Sequence, residues 1–409
     1  MQKLKMTTLN RTTLMFPLAL VLFEFSVYIG NDLVQPAMLA ITKDFGVSSS
    51  WAPSSMSFYL LGGACVAWLL GPLSDRLGRR KVLLAGVLFF TLCCLLILLT
   101  QTIQSFLTLR FLQGMGLSVI TAVGYAAIQE TFEERDAIKV MALMANVSLL
   151  APLLGPVIGA FMIEHVSWHW GFIGIATLAF LSWFGLKAKM PAHSVSIPKQ
   201  PLSYMFDDFK KVYKNKRFLA MSVALPMVAM PLMLWIAISP VMLVEELGFS
   251  SMQYGLAQFP VLGGLILGNI VLIKVIDKWA LGQSVLIGMP IMLVGTLMLG
   301  IGMLWQAYFV WFLIAGMTLI SFGEGIGFSV LYRFALMSSE VSKGTVAAAV
   351  SMLMMFSFFI IIELVRVLYE HYHLWAYTLA CFLLIALWFS FPRAMLKKIL
   401  AERVEQGQF

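Results

Sequence analysis

Apolar residues in this chain come in runs too long for strands and too unbroken for helices that lie half in water. Windows of about 20 residues suffice to cross roughly 30 Å of hydrocarbon. Twelve such windows recur, at about residues 13–41, 51–71, 82–100, 103–128, 140–162, 168–186, 218–243, 251–273, 284–303, 307–332, 344–365 and 374–392. The segments between them are short and carry most of the charge. The pattern predicts an all-α integral membrane protein of twelve transmembrane helices.

The longest polar connection, residues 187–217, contains Pro191, Pro198, Pro201 and eight bases. It divides the windows six and six, which predicts an N-terminal six-helix bundle at 1–186, a cytoplasmic linker at 187–217 and a C-terminal six-helix bundle at 218–409. Within the linker, residues 204–213 have the mixed pattern of a short helix lying on the cytoplasmic surface; a solvated tether is the alternative. Asp277-Lys278 followed by Val285-Leu286-Ile287-Gly288 weakly echoes Asp75-Arg76 followed by Val82-Leu83-Leu84-Ala85-Gly86, as a duplicated chain would.

Composition supports the pattern. The 409 residues are 60% hydrophobic and 12% charged, with a mean hydropathy of +0.90, too little polar surface to cover a soluble globule. The net charge of +8 points to orientation rather than to nucleic acid. With the N-terminus inside, every Lys and Arg except Lys43, Arg110 and Arg366 falls in a cytoplasmic segment, which places both termini in the cytoplasm. The apolar run after the basic N-terminus passes 20 residues and holds Glu24 and Asp32, so it reads as a retained first helix rather than a cleaved leader. Cys65, Cys93, Cys94 and Cys381 all fall in spans without metal-ligand spacing, as small packing residues do. The expectation is no metal and no cofactor. No phosphate-binding G-x-x-x-x-G-K-(S/T) loop occurs, so a proton gradient rather than ATP is the expected energy source.

Ionisable residues inside spans are costly and mark functional sites. Glu24 and Asp32 share the first span eight positions apart, about 12 Å of rise and about 80° of rotation, so both face one cavity at different depths. Arg110, in the fourth span, lies at nearly the depth of Asp32 and is its expected partner. An arginine stays charged and favours an ionised neighbour, whereas burial favours the neutral acid; a carboxylate between these forces is a proton switch. Asp32 is therefore assigned proton coupling with Arg110, and Glu24 the recognition of cations, with protonation of its own. A static Asp32–Arg110 ion pair is the alternative. Glu324, in Gly323-Glu324-Gly325-Ile326-Gly327, is a possible extra acid, or its glycines form a hinge where it meets water. Glu363 and Arg366, one turn apart, are expected to form a local ion pair.

Three motifs carry a resemblance. The run Gly71-Pro72-Leu73-Ser74-Asp75-Arg76-Leu77-Gly78-Arg79-Arg80-Lys81 has one acid and four bases, which hydrocarbon excludes, and two glycines that suit a reversing loop. It resembles the G-x-L-(A/S)-D-R-x-G-R-(R/K)-x loop of the major facilitator superfamily. Arg110-Phe111-Leu112-Gln113-Gly114 resembles that superfamily's R-x-x-Q-G element, and Ala151-Pro152-Leu153-Leu154-Gly155-Pro156-Val157-Ile158-Gly159-Ala160 the antiporter motif of its drug-exporting branches. Residues 24–36, 124–130 and 342–345 are similar to its multidrug/proton antiporters.

The resemblance implies an inner-membrane protein of a bacterium that exports lipophilic, cationic and neutral compounds in exchange for protons, by alternating access around a cavity between two bundles. Its substrate positions match Glu24, Tyr28, Asn31, Asp32, Met56, Tyr125, Trp235, Met355 and Phe356; unbranched Met and flat rings suit an adaptable surface. Glu324 departs from that pattern, where an apolar residue stands. Conformational gating is assigned to Gly71, Asp75, Arg76, Gly78, Arg79 and Arg80 on the inner side, Asp75 capping a helix of the second half. On the outer side, Pro152, Gly155, Pro156 and Gly159 are expected to form a seam with Gly263, Gly264 and Gly268. The expected partners are small lipophilic drugs, protons and membrane lipid, with no nucleic acid, and the chain is expected to be a monomer and not an enzyme. A monovalent cation/proton antiporter, for which Glu24, Asp32 and Glu324 supply oxygen ligands, is the main alternative. A solute-specific proton symporter is a further one, against which the antiporter motif argues, and a receptor, which more often carries a soluble domain, is more distant.

Overall fold

The computed structural model describes residues 13–191, 202–276, 278–279 and 282–405. Residues 192–201 of the expected linker and Asp277 of the internal echo lie outside the described residues. The described chain is helical and forms two compact units that divide between Leu202 and Ser203.

In the first unit α1 (Met15–Asp32) and α2 (Val34–Asp44) occupy the first apolar window. The single helix expected there is interrupted at Leu33, and the cause is Pro36: it has no N–H to give to the carbonyl of Asp32, and its ring crowds that carbonyl. Leu33 keeps helical dihedrals, so the span continues beyond a break at Asp32. α3 (Ser54–Leu77) and α4 (Arg79–Ile97) follow. The expected loop over residues 71–81 is thus corrected to a single residue: Gly71 to Leu77 are the last turns of α3, and the chain reverses at Gly78, whose φ of 92° suits only glycine.

The fourth window is α5 (Ile103–Ser118), a π-helical turn at Val119–Gly124, and α6 (Tyr125–Thr131). A capping box of Thr102 and Ser105 starts it. α7 (Glu134–His165) runs through Pro152 and Pro156, and α8 (His169–Lys189) completes the unit.

The second unit begins within the first turn of α9 (Leu202–Lys214), on the segment read as a surface helix or tether. Its Val212 is buried. The Tyr213 hydroxyl donates to the carbonyl of Ala349 at 3.1 Å, and Asn215 Nδ2 to that of Ser338 at 2.8 Å. The segment is therefore docked on its own unit, which removes the free tether. α10 (Lys216–Pro240) ends in a second π-turn at Val241–Glu246 and is followed by α11 (Ser251–Val275), α12 (Gln283–Leu304), α13 (Phe309–Leu336), α14 (Lys343–Tyr372) and α15 (Leu374–Glu405). Ala349 lies on α14. Arg366 Nε lies 2.8 Å from Glu363 Oε2, the expected pair.

Among the described residues ten helical segments are long and apolar enough to span a bilayer, and the stretches Leu150–His165 and Leu374–Ser390 are shorter apolar helices. Leu92, Leu99, Phe184, Leu267, Ile273 and Leu364 stand exposed. Water disfavours such faces and lipid does not.

With lipid outside, packing depends on close backbone approach. A Cβ at Gly62 of α3 would meet the carbonyl oxygen of Phe111 at 1.8 Å, and one at Gly114 of α5 that of Tyr59 at 1.8 Å. In the second unit α13 is pressed from both sides. Gly268 of α11 faces Phe322 O at 2.3 Å, and Gly295 of α12 faces Gly316 O at 2.5 Å. Gly325 faces Leu265 O at 2.4 Å and Gly323 faces Met292 Cγ at 2.5 Å, so the glycines beside Glu324 seat α13 against α11 and α12.

The antiporter-motif glycines, expected to form an outer seam with α11, have their close neighbours within the first unit. Gly155 and Gly159 face α1 and α2, with Cβ distances of 2.6 Å to Asp32 Cβ and 2.3 Å to Leu33 O. Gly264 and Gly268 face α13, and Gly263 faces open space. Each set closes its own unit.

Gly114→Ala meets a backbone atom that has no way to retreat, and is expected to cost about 3 kcal/mol or to prevent folding. Gly71→Ala, with nothing within 4 Å of its Cβ, is expected to keep the wild-type melting temperature. Fluorescence-detected size exclusion after a heating series separates the two.

Candidate functional site

Glu24, Tyr28 and Asp32 follow one another at four-residue steps on α1 and share one helix face. Glu24 is buried; its Oε1 accepts a hydrogen bond from the Tyr125 hydroxyl at 3.0 Å, and its Oε2 has no hydrogen-bond partner among the described residues. Tyr125 is the first residue after the π-turn of the fourth span. Such a turn holds one residue more than an α-turn, which rotates everything after it relative to Arg110. Tyr28 is half-buried beside them, and Met56 of α3 is buried.

Arg110 is fully buried. Its Nε donates to Ser55 Oγ at 3.0 Å, its Nη1 to Gly30 O at 3.0 Å and to Gln113 Oε1, and its Nη2 to Asn31 Oδ1 at 3.3 Å. Asn31 Nδ2 in turn donates to Asp32 Oδ1 at 3.0 Å. The expected direct contact of Asp32 with Arg110 is therefore corrected: among the described residues no ion pair joins them, and the amide of Asn31 stands between. An arginine has donors only, so the Asn31 oxygen must turn to it and the NH2 group to the carboxylate. The amide thus relays polarisation from guanidinium to acid. Asn31, assigned to substrate contact, acquires this second position in the chain of contacts.

The antiporter-motif glycines bear on the same acid. With the Gly155 Cβ position 2.6 Å from Asp32 Cβ, α7 leans directly on the break between α1 and α2. The contact is made to the Cβ that carries the carboxylate.

At the other end of α3, Arg79 gathers the charges. It donates to Glu130 through Nε at 3.2 Å and Nη2 at 2.9 Å, to Gly71 O through Nη1 at 3.1 Å, and to Ser74 Oγ, and it pairs with Asp75. Asp75 is thus engaged within its own unit, by a side chain one turn on. Glu130 of α6 was missed by sequence reasoning because nothing in its local pattern links it to residue 79. Arg80 donates to the carbonyl of Lys187 at the end of α8, and Arg76 is exposed.

In the second unit, Trp235 of α10 is fully buried and its Nε1 donates to Gln258 Oε1 at 2.6 Å. Gln258 was not anticipated. Met355 and Phe356 are half-exposed neighbours on α14. Glu324 is 5% exposed, its Oε2 has no hydrogen-bond partner, and no ion pair reaches it among the described residues. No group of three or more His, Cys, Asp or Glu side chains suited to a metal ion occurs among the described residues.

These features, a buried motif arginine over a broken first helix and a charged turn tied by Arg79, meet a decisive comparison. The sequence profile described as Major Facilitator Superfamily matches residues 20–362. The chain belongs to the major facilitator superfamily. Within the superfamily it is 74% identical over 406 residues to "Chloramphenicol resistance protein CraA" of Acinetobacter baumannii, covering 99% of this chain and 98% of that one. It is 46% identical over 357 residues to "Multidrug transporter MdfA" of Escherichia coli, covering 87% of each. The fold resembles the crystal structure of a D-xylose–proton symporter, with a TM-score of 0.72 and 16% identity over 93% of this chain and 97% of that one. The superfamily fold is thereby established, and the residues above have relatives that move compounds across membranes.

Asn31→Leu removes the relay while leaving Arg110 charged. If the relay keeps Asp32 ionised, the carboxylate takes a proton more readily without it. The pH below which a lipophilic cation is half released should rise, as read by titrating tetraphenylphosphonium binding to purified protein.

Proposed function

We propose that this superfamily member is a proton-coupled multidrug efflux antiporter. It is a multi-pass protein of the bacterial inner membrane, with twelve spans, both termini in the cytoplasm and no cofactor, driven by the proton gradient and acting as a monomer by alternating access. The observation that carries the reading is that two buried carboxylates share one face of α1 and neither is neutralised by an ion pair among the described residues. A buried acid without a fixed counter-ion must bind either a proton or a passing cation. That competition is antiport.

In this reading Asp32 carries the coupling proton, with Arg110 acting on it through Asn31. Glu24, held by Tyr125, selects cationic substrates. Tyr28, Asn31, Met56, Tyr125, Trp235, Met355 and Phe356 supply the adaptable apolar contact. Pro152, Gly155, Pro156 and Gly159 couple α7 to the break at Asp32, and Gly71, Asp75, Arg76, Gly78, Arg79 and Arg80 form the cytoplasmic gate, with Arg79 braced by Glu130. The likeness to the chloramphenicol and multidrug relatives makes chloramphenicol, which is uncharged, and a lipophilic cation the first two substrates to test. A monovalent cation/proton exchange remains the second reading because Glu324 adds a third buried acid with an unpartnered oxygen.

Asp32→Asn is expected to abolish export of both compounds against a gradient. Glu24→Gln is expected to impair the cation at least tenfold more than chloramphenicol. Proton release from purified protein on adding tetraphenylphosphonium, present in wild type and lost in Asp32→Asn, is the direct check. Release on adding Na⁺ or K⁺ instead would move the assignment to the cation exchanger.

A further inference from the structure

We propose that Tyr59 is the positioning residue for Arg110, holding its guanidinium flat beneath Asn31, and that the glycines at 62 and 114 exist to bring it there. The proposal rests on the reading of Asp32 as the coupling acid and deepens it. The guanidinium carries a full charge in a span, and every acceptor it meets above is neutral: a hydroxyl, a carbonyl and two amides. Hydrogen bonds fix its edges only. What fixes its plane is the ring of Tyr59, whose centroid lies 4.5 Å from Arg110 Cζ. The negative face of an aromatic ring attracts a cation, most strongly where water is excluded, and Tyr59 is fully buried.

The ring is itself fixed from two directions. Its hydroxyl donates to the carbonyl of Val27 on α1 at 2.8 Å, one turn before Asn31. Its backbone is pinned by Gly114, whose missing Cβ lets α5 approach the carbonyl of residue 59. Ser55, one turn before Tyr59 on α3, takes the Nε edge of the same guanidinium. α3 thus grips Arg110 by edge and face with residues four apart, which stand one above the other on a helix. The R-x-x-Q-G element becomes intelligible as one device: Arg110 supplies the charge, Gln113 accepts from it, and Gly114 admits the backbone of residue 59, which carries the ring. A guanidinium free to tilt would lose Asn31 and with it the line to Asp32.

The test compares wild type, Tyr59→Phe and two ringless variants, Tyr59→Leu and Tyr59→Met, as full-length protein purified in detergent. The second ringless variant fills the site with an unbranched side chain should the first fail to fold. Two quantities are read: the pH midpoint of tetraphenylphosphonium binding, and the nuclear magnetic resonance line of the Arg110 Nε–H, which a ring face beside it displaces. The ringless variants should raise the midpoint by roughly half a pH unit to one unit and move the Nε–H line toward its ringless position. Tyr59→Phe, which keeps the ring and loses only the tether to Val27, should retain both wild-type values. An unmoved Nε–H line and midpoint in a folded ringless variant overturns the proposal, as does a Phe variant that behaves like the ringless ones. If wild-type binding proves independent of pH, the coupling role of Asp32 fails instead, and the Nε–H line still decides whether Tyr59 holds Arg110.

Discussion

A full positive charge buried in a membrane span, with no carboxylate in ion-pair contact among the described residues, is the constraint on which the first unit is built. Leaving Arg110 unsatisfied there is costly on any scale, so neighbouring elements contribute to it: a carbonyl and an amide from α1, a hydroxyl and a ring face from α3, and an amide from its own helix. Those contributions require α3 and α5 to touch at backbone distance, which fixes where the glycines fall. Hydrogen bonds link the charge outward through Asn31 to Asp32.

The acid at the end of that path sits where its helix is weakest. Pro36 deprives the Asp32 carbonyl of its helical donor, and the glycine face of α7 presses on the side chain. The carboxylate thus sits at a break, on a residue whose Cβ abuts α7, and is hydrogen-bonded to an amide that also meets Arg110. In the proposed reading this joins the antiporter motif to the coupling acid by contact. The motif's glycines serve helix packing within their own unit first, and their influence on Asp32 follows from that packing.

Much of this was legible in the sequence, and the limits have physical causes. The spans, the intramembrane acids and Arg110 stand out because lipid punishes charge and loop backbone alike. The loop at 71–81 was read too long because charge excludes hydrocarbon but does not end a helix; α3 carries Asp75 and Arg76 past the bilayer as helix, and only the positive φ of Gly78 stops it. The break at Leu33 was implicit in Pro36 and its distance of four from Asp32. The π-turn before Tyr125 left no trace, because Val119–Gly124 is an apolar run like its flanks. Glycine patterns show that helices touch without showing which ones, so the packing of Gly155 and Gly159 on α1 and α2, and of Gly264 and Gly268 on α13, was not legible. Depth alone made Asp32 and Arg110 partners; the intervening amide of a residue adjacent in sequence needed coordinates to be seen.

The central claim is that Arg110 acts on Asp32 through Asn31. A double-mutant cycle of Arg110→Ala and Asn31→Leu, read as the pH midpoint of tetraphenylphosphonium binding, tests it most directly. A single path predicts that each substitution alone raises the midpoint and that the double variant raises it no further than Arg110→Ala alone. Two full and additive shifts would show that Arg110 reaches Asp32 without the amide, and would contradict the account.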